Sequence, residues 1–265
     1  MCLIIFAHHV NDNYPLVLSA NRDEFFSRKS REAQFWEDEV GCSNLLAGKD
    51  LRAGGTWIGL TRDGKVAAIT NLRSNPEGIQ AFLSRGELTL KYLVGKESPY
   101  DFAKTIVRNL SSYRGFNLLL GSKKELVFLN SKEKSILTLG PGIYAFSNHT
   151  LNSNCPKVVR GKDKLAKLLS SEIDLNPDFL IDMMKDQSIA VDNSLPSSMS
   201  TRNLEKKLSA IFVSDPERNY GTLCTTAIVN NSNGKTQFIE QNYDKLGQST
   251  RSHYFEYSQQ NKKII

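Results

Sequence analysis

This sequence predicts an α+β fold, an αββα sandwich of two mainly antiparallel sheets between helix layers. Three observations point there. Apolar runs of strand length come in groups rather than in alternation with helices. The groups read strands, helices, strands, helices, strands, which argues against a βαβ series. The strands are also apolar along their whole length, as strands buried on both faces must be. The 265 residues are expected to form a single domain over 1–265, with a polar tail that frays after about residue 247. No repeat is visible.

Each element has its local reason. Apolar runs at 2–7 and 16–20 flank Asn11-Asp12-Asn13-Tyr14-Pro15, a cluster of turn formers, and so make a β-hairpin centred near residue 12. The mixed stretch 25–44 reads as a loop that covers part of the site. A short strand follows at 45–48, then a tight turn at Gly54-Gly55-Thr56. The runs 57–60 and 66–70 flank an Asp63-Gly64 hairpin turn, which delivers Asn71-Leu72-Arg73 at its far end. Helices are expected over 84–93 and 100–110, the second with Ser98 as N-cap and Pro99 in its first turn. Strands return at 116–120, 125–130, 135–139 and 143–147, the last running into Asn148-His149. Helices over 162–169 and 177–184 come next, the latter capped by Asn176. A loop at 194–201 and a hairpin of 225–229 with 236–241 complete the order.

Composition narrows the function classes. Hydrophobic residues make up 40% and charged residues 23%, a globular balance. The net charge of +6 comes from dispersed lysines. The basic run from Lys157 to Lys167 lacks interleaved aromatics, so it reads as a solvated helix face, and no nucleic-acid partner is expected. Cys2, Cys42, Cys155 and Cys224 form no C-x-x-C pair, which disfavours a zinc site or a disulfide framework and fits a reducing, cytoplasmic setting. The opening apolar run is too short for a secretory signal or a membrane span.

The chemistry concentrates at Cys2. In the predicted hairpin Cys2 faces a position near Arg22 or Asp23, within about two residues of register. Removal of Met1 would give Cys2 a free α-amine, which titrates near pH 7.7–8.0 in an ordinary chain and can serve as base for its own thiol. Arg22 would favour the thiolate, and Asp23 would hold either the amine or Arg22. The structural alternative is that Cys2 is a small strand residue and Asn21-Arg22-Asp23-Glu24 caps a turn.

Several motifs in one order carry a resemblance. They are Met1-Cys2, Ser19-Ala20-Asn21-Arg22-Asp23-Glu24, Gly54-Gly55-Thr56-Trp57-Ile58-Gly59, Gly115-Phe116-Asn117-Leu118-Leu119 and Phe146-Ser147-Asn148-His149. Together they resemble the NRDE family, which includes the Transport and Golgi Organization 2 proteins, over nearly the whole chain to about residue 240. The resemblance implies an N-terminal-nucleophile (Ntn) hydrolase-like fold. By analogy with the choloylglycine-hydrolase and acid-ceramidase-like branches it implies Cys2 as nucleophile, with Asp23, Asn71 and Asn148 as catalytic partners; Arg22 joins this catalytic set through its charge beside the thiol. Asn71 would donate to a developing oxyanion. Two motifs depart from the family's pattern. Leu223 follows Tyr220-Gly221-Thr222 where an arginine is usual, and Cys155-Pro156-Lys157 stands for Trp-Pro-Lys. Arg22 or Arg73 would have to supply the missing cation.

The expected function is therefore an amide or acyl hydrolase that needs no metal or cofactor and takes a small-molecule substrate. The family's association with haem trafficking and with lipid or acyl-CoA metabolism implies the alternative, a non-catalytic haem or lipid carrier. Its candidate iron ligands are His8, His9, His149 and Cys2. On a regular strand His8 and His9 would point to opposite faces.

Overall fold

A computed structural model describes residues 2–39, 41–72, 83–171, 174–191 and 201–259. It is an α+β protein with two seven-stranded sheets, antiparallel as expected. The strands in chain order are β1 (Cys2–Asn11), β2 (Tyr14–Phe25), β3 (Ser30–Phe35), β4 (Leu45–Asp50), β5 (Ile58–Thr61), β6 (Val66–Asn71) and β7 (Phe116–Gly121). Then come β8 (Leu126–Asn130), β9 (Ser135–Thr138), β10 (Gly142–Phe146), β11 (Ser214–Asp215), β12 (Tyr220–Asn230), β13 (Lys235–Tyr243) and β14 (Ser249–Ser258). The helices are α1 (Gly86–Val94), α2 (Pro99–Val107), α3 (Pro156–Leu169), α4 (Pro177–Met183) and α5 (Arg202–Leu208). Two compact units result, Met1–Ser27 with Pro141–Glu256 and Arg28–Gly140 with Tyr257–Ile265.

In the first unit the sheet order is β10-β1-β2-β12-β13-β14, with β11 on β12. The first and second strands are thus neighbours in the interior of the sheet. Their turn is closed by the Asn11 side chain, which accepts from the Asn13 amide at 2.9 Å. Leu3, Ile5, Ala7, Val17, Ala227, Val229 and Ile239 share one face and pack with Val158 and Leu165 of α3 and Leu180 and Ile181 of α4. Full burial of each large aliphatic here contributes about 1.5–3 kcal/mol. Helix α3 lies so close that a Cβ at Gly161 would collide with Ile5.

In the second unit the order is β3-β4-β5-β6-β7-β8-β9. Leu88, Tyr92 and Leu93 of α1 and Phe102, Ala103 and Ile106 of α2 cover a face made of Ala67, Ile69, Leu118, Leu120, Val127 and Leu129. Ser98 caps α2, its hydroxyl accepting from the Asp101 amide at 3.1 Å. The Gly54-Gly55 turn is sterically required: Gly54 has φ +75°, and a Cβ on Gly55 would strike the backbone of Gly86.

Three expectations are corrected. The stretch 25–44 is not all loop, because Ser30–Phe35 pairs with β4 and anchors buried Trp36 next to it. The chain after 247 is not frayed through 258. There β14 forms the sheet edge, and its polar composition hides a two-residue alternation of half-buried His253, Phe255 and Tyr257. Phe255 meets Phe238 edge to face at 6.0 Å. Helix α3 starts at Pro156 rather than near 162, since proline presets the first helical turn. The loop expected at 194–201 lies almost wholly outside the described residues, as does Arg73.

Candidate active site

The site belongs to the first unit, at the end of the sheet where β1 begins. Cys2 pairs directly with Arg22 across β1 and β2, and Arg22 pairs with Cys224 across β2 and β12. Residues opposite each other in an antiparallel pair point to the same face, so Cys2, Arg22 and Cys224 form one row. The expected register of the hairpin is the observed one. Asn148 follows β10, which flanks β1 on its other side. The Ser147 hydroxyl donates to the Cys2 carbonyl at 2.7 Å and lies 3.1 Å from Asn148 Oδ1, so Asn148 is held at the Cys2 end.

Strand alternation splits the Asn21-Arg22-Asp23 run by function. Asn21 points to the helix-covered face and is fully engaged there. Its amide donates to the carbonyls of Met184 (3.0 Å) and Ile211 (2.9 Å), and its oxygen accepts from the Thr225 hydroxyl (2.7 Å). Arg22, 5% exposed, points to the Cys2 face. Asp23 returns to Asn21's side. Thr222 Oγ1 donates to Asp23 Oδ1 at 2.8 Å, Tyr220 Oη donates to the Asp23 carbonyl at 2.9 Å, and Lys157 Nζ stands 3.8 Å from Oδ2. The Asp23 and Lys157 side chains are 0% and 2% exposed.

A bulge makes this arrangement possible. The β2–β12 register shifts by one between Thr222 and Cys224, leaving Leu223 as the extra residue. Thr222 thereby sits opposite Asp23, and Cys224 still sits opposite Arg22. Without the insertion one of these pairs would face the wrong side of the sheet.

Burial dominates the electrostatics. It pushes the half-buried Cys2 thiol up from its ordinary value, and the Asp23 carboxylate adds to this. The charge of the N-terminal amine, then the Asp23 amide, which hydrogen-bonds the sulfur, and last the Arg22 charge pull the other way. Arg22 thus favours the thiolate as expected but does not outweigh desolvation. Burial also raises Asp23, opposed first by Lys157, then by the charge of the N-terminal amine and then by the Thr222 hydrogen bond. Cys224 is driven well above the ordinary thiol range by burial and by Glu240.

Cys2, Arg22, Asp23 and Asn148 therefore come together. Asn71 belongs to the second unit, where it ends β6 opposite Phe116 and is exposed. His149, half-buried, adjoins Asn148 at the Cys2 end. His8 and His9 do not: they lie at the other end of β1, about 20 Å away at the rise of an extended strand. Their rings do not alternate either. His9 has φ +47° inside a register shift, and the two rings meet edge to face at 4.4 Å. Among the described residues no three His, Cys, Asp or Glu side chains are grouped to hold a metal, and no helix is long and apolar enough to cross a membrane.

Lys157 is the site residue that sequence reasoning missed. It reads there as the first charge of a solvated face, yet it is 1% exposed. The available signal was Pro156, which starts a helix and fixes Lys157 in its first turn.

The profile of the Transport and Golgi organisation 2 family matches residues 1–245. The Transport and Golgi organization protein 2 homolog of Bos taurus is 31% identical over 96% of this chain and 99% of its own. The human homolog is 31% identical over 91% of this chain and 92% of its own. Among solved structures, a mutant conjugated bile acid hydrolase from Clostridium perfringens superposes with a TM-score of 0.53 at 12% identity, covering 98% of this chain and 94% of that one. That likeness concerns the fold, which is the Ntn-hydrolase one.

Proposed function

The chain belongs to the Transport and Golgi organisation 2 family, and we propose that its Ntn-hydrolase fold carries Cys2 as the nucleophile of an amide or acyl hydrolase. The observation that carries this is the row of Cys2 against Arg22, with buried Asp23 bonded to Thr222 beside it. Removal of Met1 frees the Cys2 α-amine. The amine takes the thiol proton, and the sulfur attacks the substrate's carbonyl carbon. The Asn148 side chain donates to the resulting oxyanion. One such donor typically lowers a barrier by about 2.7–4 kcal/mol. The carbon–heteroatom bond then breaks, and the leaving amine, alcohol or thiol takes the proton from the α-ammonium. Water attacks the Cys2 thioester, releasing the acid and restoring the thiol.

Intact mass spectrometry after incubation with amide, ester and thioester substrates tests the reading. An acyl adduct on Cys2, absent in Cys2→Ala, is expected. Turnover that survives Cys2→Ala, or a functional form that retains Met1, would overturn it.

A haem or lipid carrier is the second reading. It is favoured by one observation, that thiol and imidazole, both iron-ligating groups, occur at the same end in Cys2 and His149. Haem spectra should then change in Cys2→Ala and His149→Ala but not in His8→Ala or His9→Ala. Unchanged spectra in the first two remove this ligation.

A further inference from the structure

Lys157 is placed against every ordinary preference. It occupies the first turn of α3, where the helix macrodipole disfavours a cation and where α3 carries no acidic residue. Its ammonium is buried and makes no hydrogen bond among the described residues. A buried lysine in that state is retained only where an opposite charge repays its desolvation. The charge facing it is Asp23, at 3.8 Å. That gap is too long for a hydrogen bond and short for a field. Other cations of α3 are engaged elsewhere: Arg160 and Lys164 pair with Asp186 at 4.0 and 3.2 Å.

The surroundings of Asp23 show a division of labour. From β12, Thr222 fixes the orientation of the carboxyl through Oδ1. From β1, Cys2 meets the Asp23 amide. Glu24, next on β2, opposes ionisation. Arg22, Cys224 and Glu240 belong to the opposite face of the sheet. Asp182 of α4 pairs with Lys185. Among the described residues Lys157 is the side-chain cation paired with Asp23, and the N-terminal amine is the other positive charge acting on it.

We propose that Lys157 is a positioning residue of the Cys2 site: its buried ammonium holds Asp23 as a carboxylate, and the carboxylate in turn holds the Cys2 α-ammonium that forms as the thiol gives up its proton. The inference rests on the nucleophile reading above. It predicts that loss of the Lys157 charge lets Asp23 take up a proton at higher pH, and that the acid limb of Cys2 acylation moves with it.

Difference infrared spectroscopy of the Asp23 carboxyl, assigned with Asp23→Asn, tests this in the full chain alongside Cys2 acylation from pH 4 to 9. Wild type should show a carboxylate at pH 7. In Lys157→Met and Lys157→Gln the Asp23 midpoint should rise by about one pH unit or more, carrying the acylation limb, while Lys157→Arg restores both. A protonated Asp23 in wild type at pH 7 overturns the proposal without recourse to any variant. An unmoved midpoint in either folded charge-removing variant overturns it as well. Absence of Cys2 acylation in wild type sinks the hydrolase reading instead, whatever the Asp23 midpoint does.

Discussion

Cys2 and Cys224 stand on either side of Arg22, each paired with it across one strand boundary. One guanidinium thus acts on two thiols of unequal burial, Cys2 half-buried and Cys224 only 3% exposed. Two strand spacings separate the thiols, at about 5 Å each, so they cannot bridge without backbone movement.

Alkylation should separate them. At pH 8, iodoacetamide is expected to label Cys2 at least about tenfold faster than Cys224, because both access and thiolate fraction favour Cys2. Arg22→Gln should slow Cys2, since Arg22 lowers its thiol pKa against the effect of burial. Peptide mass spectrometry over a time course reads both rates. Equal rates in wild type would contradict the burial difference.

Asn21→Ala should act on stability. It removes three buried hydrogen bonds and strands the carbonyls of Met184 and Ile211, while the Thr225 hydroxyl keeps Tyr243 Oη at 3.0 Å. A loss of about 3 kcal/mol is expected in urea unfolding, summing roughly 1 kcal/mol per bond. A change under about 0.5 kcal/mol would mean that these contacts are dispensable.

Asp50 links the second unit to pH. Burial raises its carboxyl, but Arg28 at 2.7 Å and the amides of Arg52 and Ala53 outweigh that, and the net shift is downward. A depressed folded pKa contributes stability above the unfolded value, lost as pH falls through the folded one. Asp50→Asn should therefore cost about 2 kcal/mol near neutrality, and the gap to wild type should close below about pH 4. Chemical denaturation at pH 7 and pH 3 checks the sign. A gap that widens in acid would refute it.

Asn148→Ala should lower turnover about a hundredfold with little change in KM, because an oxyanion donor works mainly in the transition state. Steady-state kinetics on a substrate that acylates Cys2 makes the comparison. An effect confined to KM would place this amide in ground-state binding.

Much of the Cys2 end was legible because it is local. A hairpin with turn formers near residue 12 has one register that keeps its apolar residues buried, and that register sets Cys2 on Arg22. The alternation of Asn21, Arg22 and Asp23 between faces follows from strand geometry as well. Lys157 was hidden for the opposite reason. It reaches Asp23 from a helix far along the chain, and a run of like charges ordinarily marks a solvated face. Leu223 was read as a lost cation, whereas its structural part is that of an extra residue in a bulge, which no composition shows. Strand β14 escaped because half-buried positions in a polar edge strand carry little hydrophobic signal.

The placement of β2 between β1 and β12 has a consequence for biosynthesis. The hairpin of β1 and β2 is synthesised before the strand that closes its other side, Tyr220–Asn230. Until that strand has been made, the β2 edge that it covers is unsatisfied. Such an edge is a template for pairing with foreign strands. The hairpin is therefore open to mispairing until residue 230 has been made.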